Sequence, residues 1–406
     1  MPRAHEAEVL AQQHGTPLWI TDGDLVRARL EQLRGAFGSL LHEVHYAVKA
    51  NPGLALLALL AAEGAGFDVV SAGELERCRR IGVDPRRIGF AGAGKTDAEL
   101  RAALALSIGL FDVESPAELD RLARLASERG SVAPFALRLN PDVDAGTHEY
   151  VTTGTRRNKF GMPFEAALAA LQRHRSTAAL RFRGFHVHIG SQVTDPGRFA
   201  AAAAIVAQRI VATRAAGFAV ELLDFGGGVP ARYDDSPPSI EAIASAVLPL
   251  IAPLQVELVL EPGRFLVAEA GALVTRVIDV KEGEGRAFVI VDAAMNDLLR
   301  PALYGAWHPV ALRARDAASR PEVLCDVVGP VCESGDFLAK ERVLPQPRPG
   351  DLLVIGSAGA YGTSMSSNYN SRPRAAEVLI DRGVARLVRR RETFDDLLAT
   401  ELPFGH

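Results

Sequence analysis

Several residues in this sequence have types and spacings that can do chemistry. In HYAVKANP (45–52), Lys49 stands where an apolar strand runs out, just before Asn51-Pro52 stops it. Alternation puts Tyr46 and Val48 on one side, Ala47 and Lys49 on the other. A lysine at the exit of a buried strand needs a partner or a task, and covalent attachment to a cofactor carbonyl is such a task. In HVHIGS, His186 and His188 sit two apart, so on a strand they point the same way. Paired histidines of this kind can be metal ligands, but no matching cluster of further His and Asp ligands accompanies them, so no metal is expected. A flat imidazole can instead stack on an aromatic cofactor, and His186 reads as a buried, hydrogen-bonded ring. Gly226, Gly227 and Gly228 follow one strand, and EPGR, with Glu261, Gly263 and Arg264, follows the next. Three glycines let backbone N–H groups approach an anion, although a plain tight turn would look the same. Arg264 can add positive charge beside them.

A phosphate cradle, a stacking imidazole, a carboxylate and a strand-end lysine together suit one cofactor, pyridoxal 5'-phosphate. Lysine bonds its aldehyde, a carboxylate keeps its pyridine nitrogen protonated, and the glycines anchor its phosphate.

These residues must be positioned by a repeating scaffold. From about residue 30 to 265, short apolar strands alternate with helical stretches. The predicted strands are 43–49, 66–71, 87–92, 109–115, 133–140, 182–191, 221–228 and 256–264. Eight such strands are the count of a TIM (β/α)8 barrel; an open doubly wound sheet is the alternative. The even spacing favours the barrel, as do the polar groups at strand ends: Lys49, Asp68, Ser71, Arg138, Asn140, His188, Ser191 and Glu261. After about residue 270 the pattern changes to strands and Gly-rich turns, predicting a C-terminal β domain of sandwich or barrel-like form. The expected division is 1–29, 30–268 and 269–406. TPLWITDGDLV reads as a strand open to either domain.

Bulk properties limit the function classes. The 406 residues carry a formal charge of −4 and are 48% hydrophobic, which excludes a basic nucleic-acid binder. Cys78, Cys325 and Cys332 are too few and too spread for a disulfide framework. The N-terminal MPRAHEAEVLAQQHG is polar and helical, unlike a signal peptide, and no apolar run approaches the roughly 20 residues of a membrane helix. A cytoplasmic enzyme without a nucleic-acid or membrane partner is the expectation.

HYAVKANP, FDVVSAGEL, HVHIGSQ, DFGGGVP, EPGR, GPVCESGDFLAKER and GAYGTSMSSNYNSRPR together resemble the fold-type III pyridoxal-phosphate decarboxylases, whose fold is alanine racemase-like. NPDVDAGTHEYVTTGTRRNKFG and MNDLLRPALYGAWH resemble the branch acting on diaminopimelate more than the ornithine and arginine branches. The resemblance runs from roughly residue 15 to 385, in order. One departure is Trp307, where the branch is expected to carry Tyr or Phe. The resemblance implies a barrel plus a β domain that takes in the N-terminal strand, and a homodimer with shared active sites. It implies Lys49 as the Schiff-base lysine, His188 as the stacking residue and Glu261 as the partner of the pyridine nitrogen. Asp68, Arg138, Ser191, Gly226 to Gly228, Gly263, Arg264 and Tyr361 would surround the cofactor. Cys332 would come from the other subunit and return a proton to the substrate.

Substrate choice follows from charge. Diaminopimelate carries an ammonium and a carboxylate at its far end, and burying either unpaired is costly. Arg300 and Arg264 can take the carboxylate, Glu333 the ammonium, and Tyr304 and Tyr361 can add contacts. The expected reaction is decarboxylation of meso-2,6-diaminopimelate to L-lysine. The alternatives are a related decarboxylase acting on D-lysine, D-ornithine or a carrier-linked glutamate, an alanine-racemase-like racemase, and a relative that has lost its cofactor.

Overall fold

The computed structural model describes residues 4–142, 159–234 and 236–402. The chain forms two compact units: Arg27–Pro230 with Pro237–Phe265, and Met1–Val26 with Ala231–Ser236 and Leu266–His406. The short Ala231–Ser236 segment, embedded in the barrel sequence, thus belongs to the other unit.

The first strand, β1 (Leu18–Asp22), lies in that other unit. The barrel unit then runs β2 (Leu41–Ala47), β3 (Gly66–Val69), β4 (Ile88–Phe90), β5 (Leu110–Val113), β6 (Ala133–Leu139), β7 (Leu180–Val187), β8 (Leu222–Asp224) and β9 (Glu257–Leu260). All neighbours are parallel, and β9 closes on β2, through Leu41↔Leu258 and Val44↔Leu260, to complete an eight-stranded barrel. All eight barrel strands end earlier than the sequence pattern suggested, which moves several candidate site residues off their strands. β2 stops at Ala47, and Val48–Ala50 is a 3-10 turn held where the Tyr46 hydroxyl donates to the Asn51 carbonyl at 3.1 Å. β7 stops at Val187, so His188 and Ser191 lie in the loop beyond it.

The helices between strands begin where the sequence supplies a cap. Ser71 accepts from Glu74 N–H and starts Ala72–Arg80. Thr96 and Glu99 form a capping box for Asp97–Leu106. Ser115, followed by Pro116 and closed by left-handed Gly130, bounds Pro116–Arg129. Ser71 thus has a local task in the helix it starts.

The barrel interior is partly polar. His45, Asp68, Asp112, His186 and Asp224 are buried strand residues. Glycines make the room: a Cβ on Gly66 would lie 2.5 Å from the His45 ring, and one on Gly184 would lie 1.8 Å from the Leu222 carbonyl oxygen of β8.

The second unit adds β10 (Gly271–Glu282), β11 (Ala287–Val291), β12 (Val310–Arg313), β13 (Glu322–Val328), β14 (Phe337–Pro345), β15 (Leu352–Ile355), β16 (Ala376–Asp381) and β17 (Val384–Arg389). With β1 they make one nine-stranded sheet, ordered β14-β13-β11-β10-β1-β16-β17, with β15 pairing both β10 and β12. Successive residues of a strand feed two apolar cores. Trp19, Leu273, Leu353 and Ile355 enter one; Leu18, Ile20, Ala272, Val274, Leu352 and Val354 enter the other, beside Ala7, Leu10 and Ala11 of the N-terminal helix. This is the two-sided burial that a period of two produces.

Gly184→Ala should destabilise the barrel by about 2–4 kcal/mol, because β7 and β8 must part to admit the methyl group. Denaturant unfolding measures it; a change within about 0.5 kcal/mol, the range of a surface substitution, would show that the strands adjust freely.

Candidate active site

The predicted polar groups of the barrel meet at the C-terminal ends of its strands. Lys49, in the turn after β2, places Nζ 2.6 Å from Asp68 Oδ2 of β3. Asp68 is fully buried while Lys49 keeps 36% of its side chain exposed, so the amine is reachable where its counter-ion is not. Burial, and then the charge of Glu261, raise the Asp68 carboxyl, against the pull of Lys49.

Glu261, just after β9, is buried and hydrogen-bonded through Oε2 to His186 Nε2 at 3.1 Å. Burial alone would raise its carboxyl, but the charge and hydrogen bond of His186, with Lys49 behind them, outweigh burial and hold it well below the usual carboxylate range. His186 shows the counterpart: burial disfavours its cation, yet Glu261 and Asp112 push it up to about 9. Burial also lifts Asp112 to about 7 and Asp224 well above its ordinary value. His186, Asp224 and Glu261 bring donor atoms within 4.8 Å of one another, a spacing that would also admit a cation, although His186 and Glu261 already spend these groups on each other. Glu261 Oε1 is buried and has no hydrogen-bond partner among the described residues. A buried carboxylate oxygen left open in this way calls for a donor, a demand that a protonated pyridine nitrogen would fit.

Gly226 to Gly228 form a cradle that side chains would fill. Cβ atoms there would lie 2.4 Å from Val187 O, 2.4 Å from Glu261 O and 2.7 Å from Gly190 O respectively, and Gly226 and Gly228 have φ of +66° and +94°. Gly227 N–H donates to His188 Nδ1 at 3.1 Å. His188 is held well below the ordinary imidazole value, by burial first and then by the cations of Arg138 and Lys49, so the ring is neutral and its Nδ1 is the acceptor. Arg264 donates through Nε and an Nη to Ser191 Oγ at 3.1 and 3.0 Å. Gly263 lies where a Cβ would sit 3.0 Å from that of Ala50. Arg138 pairs with buried Glu114 at 2.7 Å and lies over the Phe160 ring. Of the NPDVDAGTHEYVTTGTRRNKFG motif, residues 143–158 lie outside the described residues.

The second unit carries the remaining candidates. Buried Arg300 opens the helix Arg300–Tyr304, which holds Tyr304 four residues on. Cys332 and Glu333 lie together in the exposed turn between β13 and β14. Asn370 Oδ1 accepts from Cys332 N–H at 3.2 Å, and the Tyr369 hydroxyl donates to Glu333 Oε2 at 2.8 Å. Buried Asp336 accepts from Val331 N–H and Met295 N–H, each at 2.7 Å, tying this turn to the segment that leads to Arg300. Tyr361 has a left-handed backbone, φ +56°.

A family profile described as the pyridoxal-binding domain of pyridoxal-dependent decarboxylases matches residues 24–268. This chain belongs to the pyridoxal-dependent decarboxylases. It is 46% identical to the diaminopimelate decarboxylase of Neisseria meningitidis serogroup B, over 97% of this chain and 94% of that protein, and 47% identical to the one from Pseudomonas aeruginosa over the same shares. Among solved structures, the Helicobacter pylori diaminopimelate decarboxylase complexed with L-lysine matches with a TM-score of 0.93 and 38% identity, over 97% of this chain and 98% of that one. The lysine/ornithine decarboxylase of Vibrio vulnificus complexed with cadaverine matches at 0.82 and 26% identity, over 93% and 96%.

Sequence reasoning missed several groups in this decarboxylase. Asp112 and Asp224 end up facing His186 and Glu261, and Asn370, Tyr369 and Asp336 hold the Cys332 turn. The available signal for the first set was position: Asp68, Asp112, His186 and Asp224 each stand at or next to the last residue of an otherwise largely apolar barrel strand. The second is formed by contacts between loops.

His186 binds its proton more tightly in the fold than an exposed imidazole of about 6.5. Its contribution to stability is therefore full below about 6.5 and is lost as pH rises through about 9. Melting of the cofactor-free protein should show that loss. His186→Gln should lower stability near neutrality by on the order of 3 kcal/mol and flatten the alkaline fall. An equally steep fall in the variant would assign the titration to another group.

Proposed function

We propose that this chain decarboxylates meso-2,6-diaminopimelate to L-lysine and carbon dioxide using pyridoxal 5'-phosphate, the closing step of lysine biosynthesis. The buried Arg300 carries the specificity reading: a guanidinium removed from water at 6% exposure suits a substrate with a second carboxylate, which ornithine lacks. Similarity to diaminopimelate decarboxylases along nearly the whole chain supports the same reading.

Gly226 to Gly228, Ser191 and Arg264 would hold the cofactor phosphate, with Tyr361 nearby. Glu261 Oε1 would accept from the pyridine nitrogen, His188 would stack on the ring, and Asp68 and Arg138 would steady Lys49 and the ring's surroundings. The bound cofactor supplies an electron sink for the pair left on the substrate α-carbon when carbon dioxide departs. Lys49 Nζ, which pairs with buried Asp68, would bond the cofactor and yield to the substrate amine. Arg300, with Arg264 and Tyr304, would bind the distal carboxylate and Glu333 the distal ammonium. The proton that completes the product would come from Sγ of the partner's Cys332. That assignment makes the working enzyme a homodimer with shared sites. It suits the exposed position of the Cys332 turn in a single chain. No helix among the described residues is long and apolar enough to cross a membrane, and three sparse free thiols suit a cytoplasmic setting.

Carbon dioxide release from purified, cofactor-loaded protein tests the reading. Turnover is expected with meso-diaminopimelate and not with L-lysine, D-lysine, L-ornithine or L-arginine; preference for any of the other four overturns the substrate assignment. Lys49→Ala should abolish both turnover and the visible absorbance of bound cofactor, and near-normal turnover would remove its role. Cys332→Ala should keep that absorbance while losing roughly 10²–10⁴ in rate; an undiminished rate would place the proton donor elsewhere.

A further inference from the structure

The turn with Cys332 and Glu333 is gripped by two consecutive residues that the functional reading does not use. Asn370 holds its backbone, accepting from Cys332 N–H through Oδ1 at 3.2 Å. Tyr369 holds a side chain: its hydroxyl donates to Glu333 Oε2 at 2.8 Å. The hydrogen bond to Glu333, and then the charge of that carboxylate, keep the phenol above its ordinary value, so it stays protonated and remains a donor. A protonated phenol is neutral. The bond therefore orients the carboxylate without neutralising it, as a lysine or arginine in the same place would.

Tyr369 can serve as a fixed point because its own segment is tied down on several sides. Asn368 Nδ2 donates to the Arg372 carbonyl at 3.1 Å and to Glu392 Oε2 at 2.6 Å. The same Glu392 accepts from Arg374 N–H at 2.8 Å and from Arg374 Nη1 at 3.0 Å. Arg372 Nη2 donates to the Asp292 carbonyl at 2.7 Å, and Ser367 N–H to the Asn296 carbonyl at 2.9 Å. Glu333, by contrast, is an exposed glutamate on a turn, with three side-chain torsions to settle. Pinning one carboxylate oxygen removes that freedom before a ligand arrives, which is the way preorganisation strengthens recognition.

We propose that Tyr369 is a specificity-determining positioning residue that fixes the Glu333 carboxylate and thereby sets which configuration the far carbon of diaminopimelate must have. The proposal rests on the reading of Glu333 as the receptor of the distal ammonium. The far carbon carries that ammonium, a carboxylate, a hydrogen and the chain to the reacting end. With the chain and the hydrogen in place, inversion exchanges the two charged groups and turns the carboxylate toward Glu333, where like charges repel. A Glu333 free to swing away would relieve the repulsion, so the discrimination depends on the Tyr369 bond.

Steady-state decarboxylation by the cofactor-loaded holoenzyme tests this with meso-diaminopimelate and with the two isomers whose centres share one configuration. Preference is read as the ratio of kcat/KM values, or of KM to an inhibition constant where an isomer binds without turnover. The wild type should prefer the meso isomer. Tyr369→Phe keeps the ring and loses the hydroxyl. Its KM for the meso isomer should rise about three- to tenfold, as for one hydrogen bond, with kcat within about threefold of the wild type and the preference reduced about threefold or more. Glu333→Gln, which loses the charge, should raise KM and reduce the preference at least as far. If Glu333→Gln does so while Tyr369→Phe matches the wild type, the positioning role fails and the Glu333 reading stands. If Glu333→Gln changes neither KM nor preference, the Glu333 reading fails and the proposal with it. A wild type without preference, a Tyr369→Phe variant that weakens every isomer alike, or one that loses kcat at constant KM also overturns the proposal.

Discussion

A carboxylate kept ionised inside a protein is the constraint around which the barrel is arranged. Glu261 is out of reach of water, and burial opposes its charge. It stays charged because His186, hydrogen-bonded at 3.1 Å, carries the opposite charge. His186 in turn is cationic because several carboxylates face it from other strands, and these cannot all ionise together. Asp112 and Asp224 absorb the excess by holding their protons more tightly. Barrel interiors are ordinarily filled by layers of branched apolar side chains. Here small residues replace bulk on several strands, and polar groups occupy the space they leave.

The same economy governs the second unit. Arg300 is buried there and held by more than one kind of contact. The His308 imidazole accepts from its guanidinium, and the Tyr233 ring lies against it. The neighbouring turn with Cys332 and Glu333 follows a different plan. It is exposed, and it is shaped through its backbone, by Asp336 from within and Asn370 from the side.

Much of this was legible in the sequence. The eight strands of the barrel all lie where apolar runs and turn signals put them, because long-range closure does not alter a strand's local pattern. Strand ends were less legible. Alternation carried β2 through Lys49, whereas the chain turns at Val48, and it kept His188 and Ser191 on β7, whereas the strand ends at Val187. Period-two patterning continues through a tight turn without a change in composition, so only the hydrogen bonds reveal the stop. The lysine, glycine and carboxylate motifs were readable because each is contiguous. The Arg300 mount was not: Tyr233 and His308 lie 75 residues apart, and nothing local links an aromatic residue after DFGGGVP to a histidine after GAW. The membership of Ala231–Ser236 in the second unit was hidden for the same reason.

The place of β1 in its sheet has a consequence for biosynthesis. This strand is translated before the barrel, yet its antiparallel neighbour β10 begins at Gly271 and its parallel neighbour β16 at Ala376. The barrel sequence is translated in the interval and contains every strand it needs. During that interval Leu18, Trp19 and Ile20 have no sheet to enter, and the order of synthesis cannot be the order of assembly. The nascent chain must therefore carry an unpaired apolar strand while the whole barrel is translated, and the sheet of the second unit becomes whole only after β16 and β17 have followed.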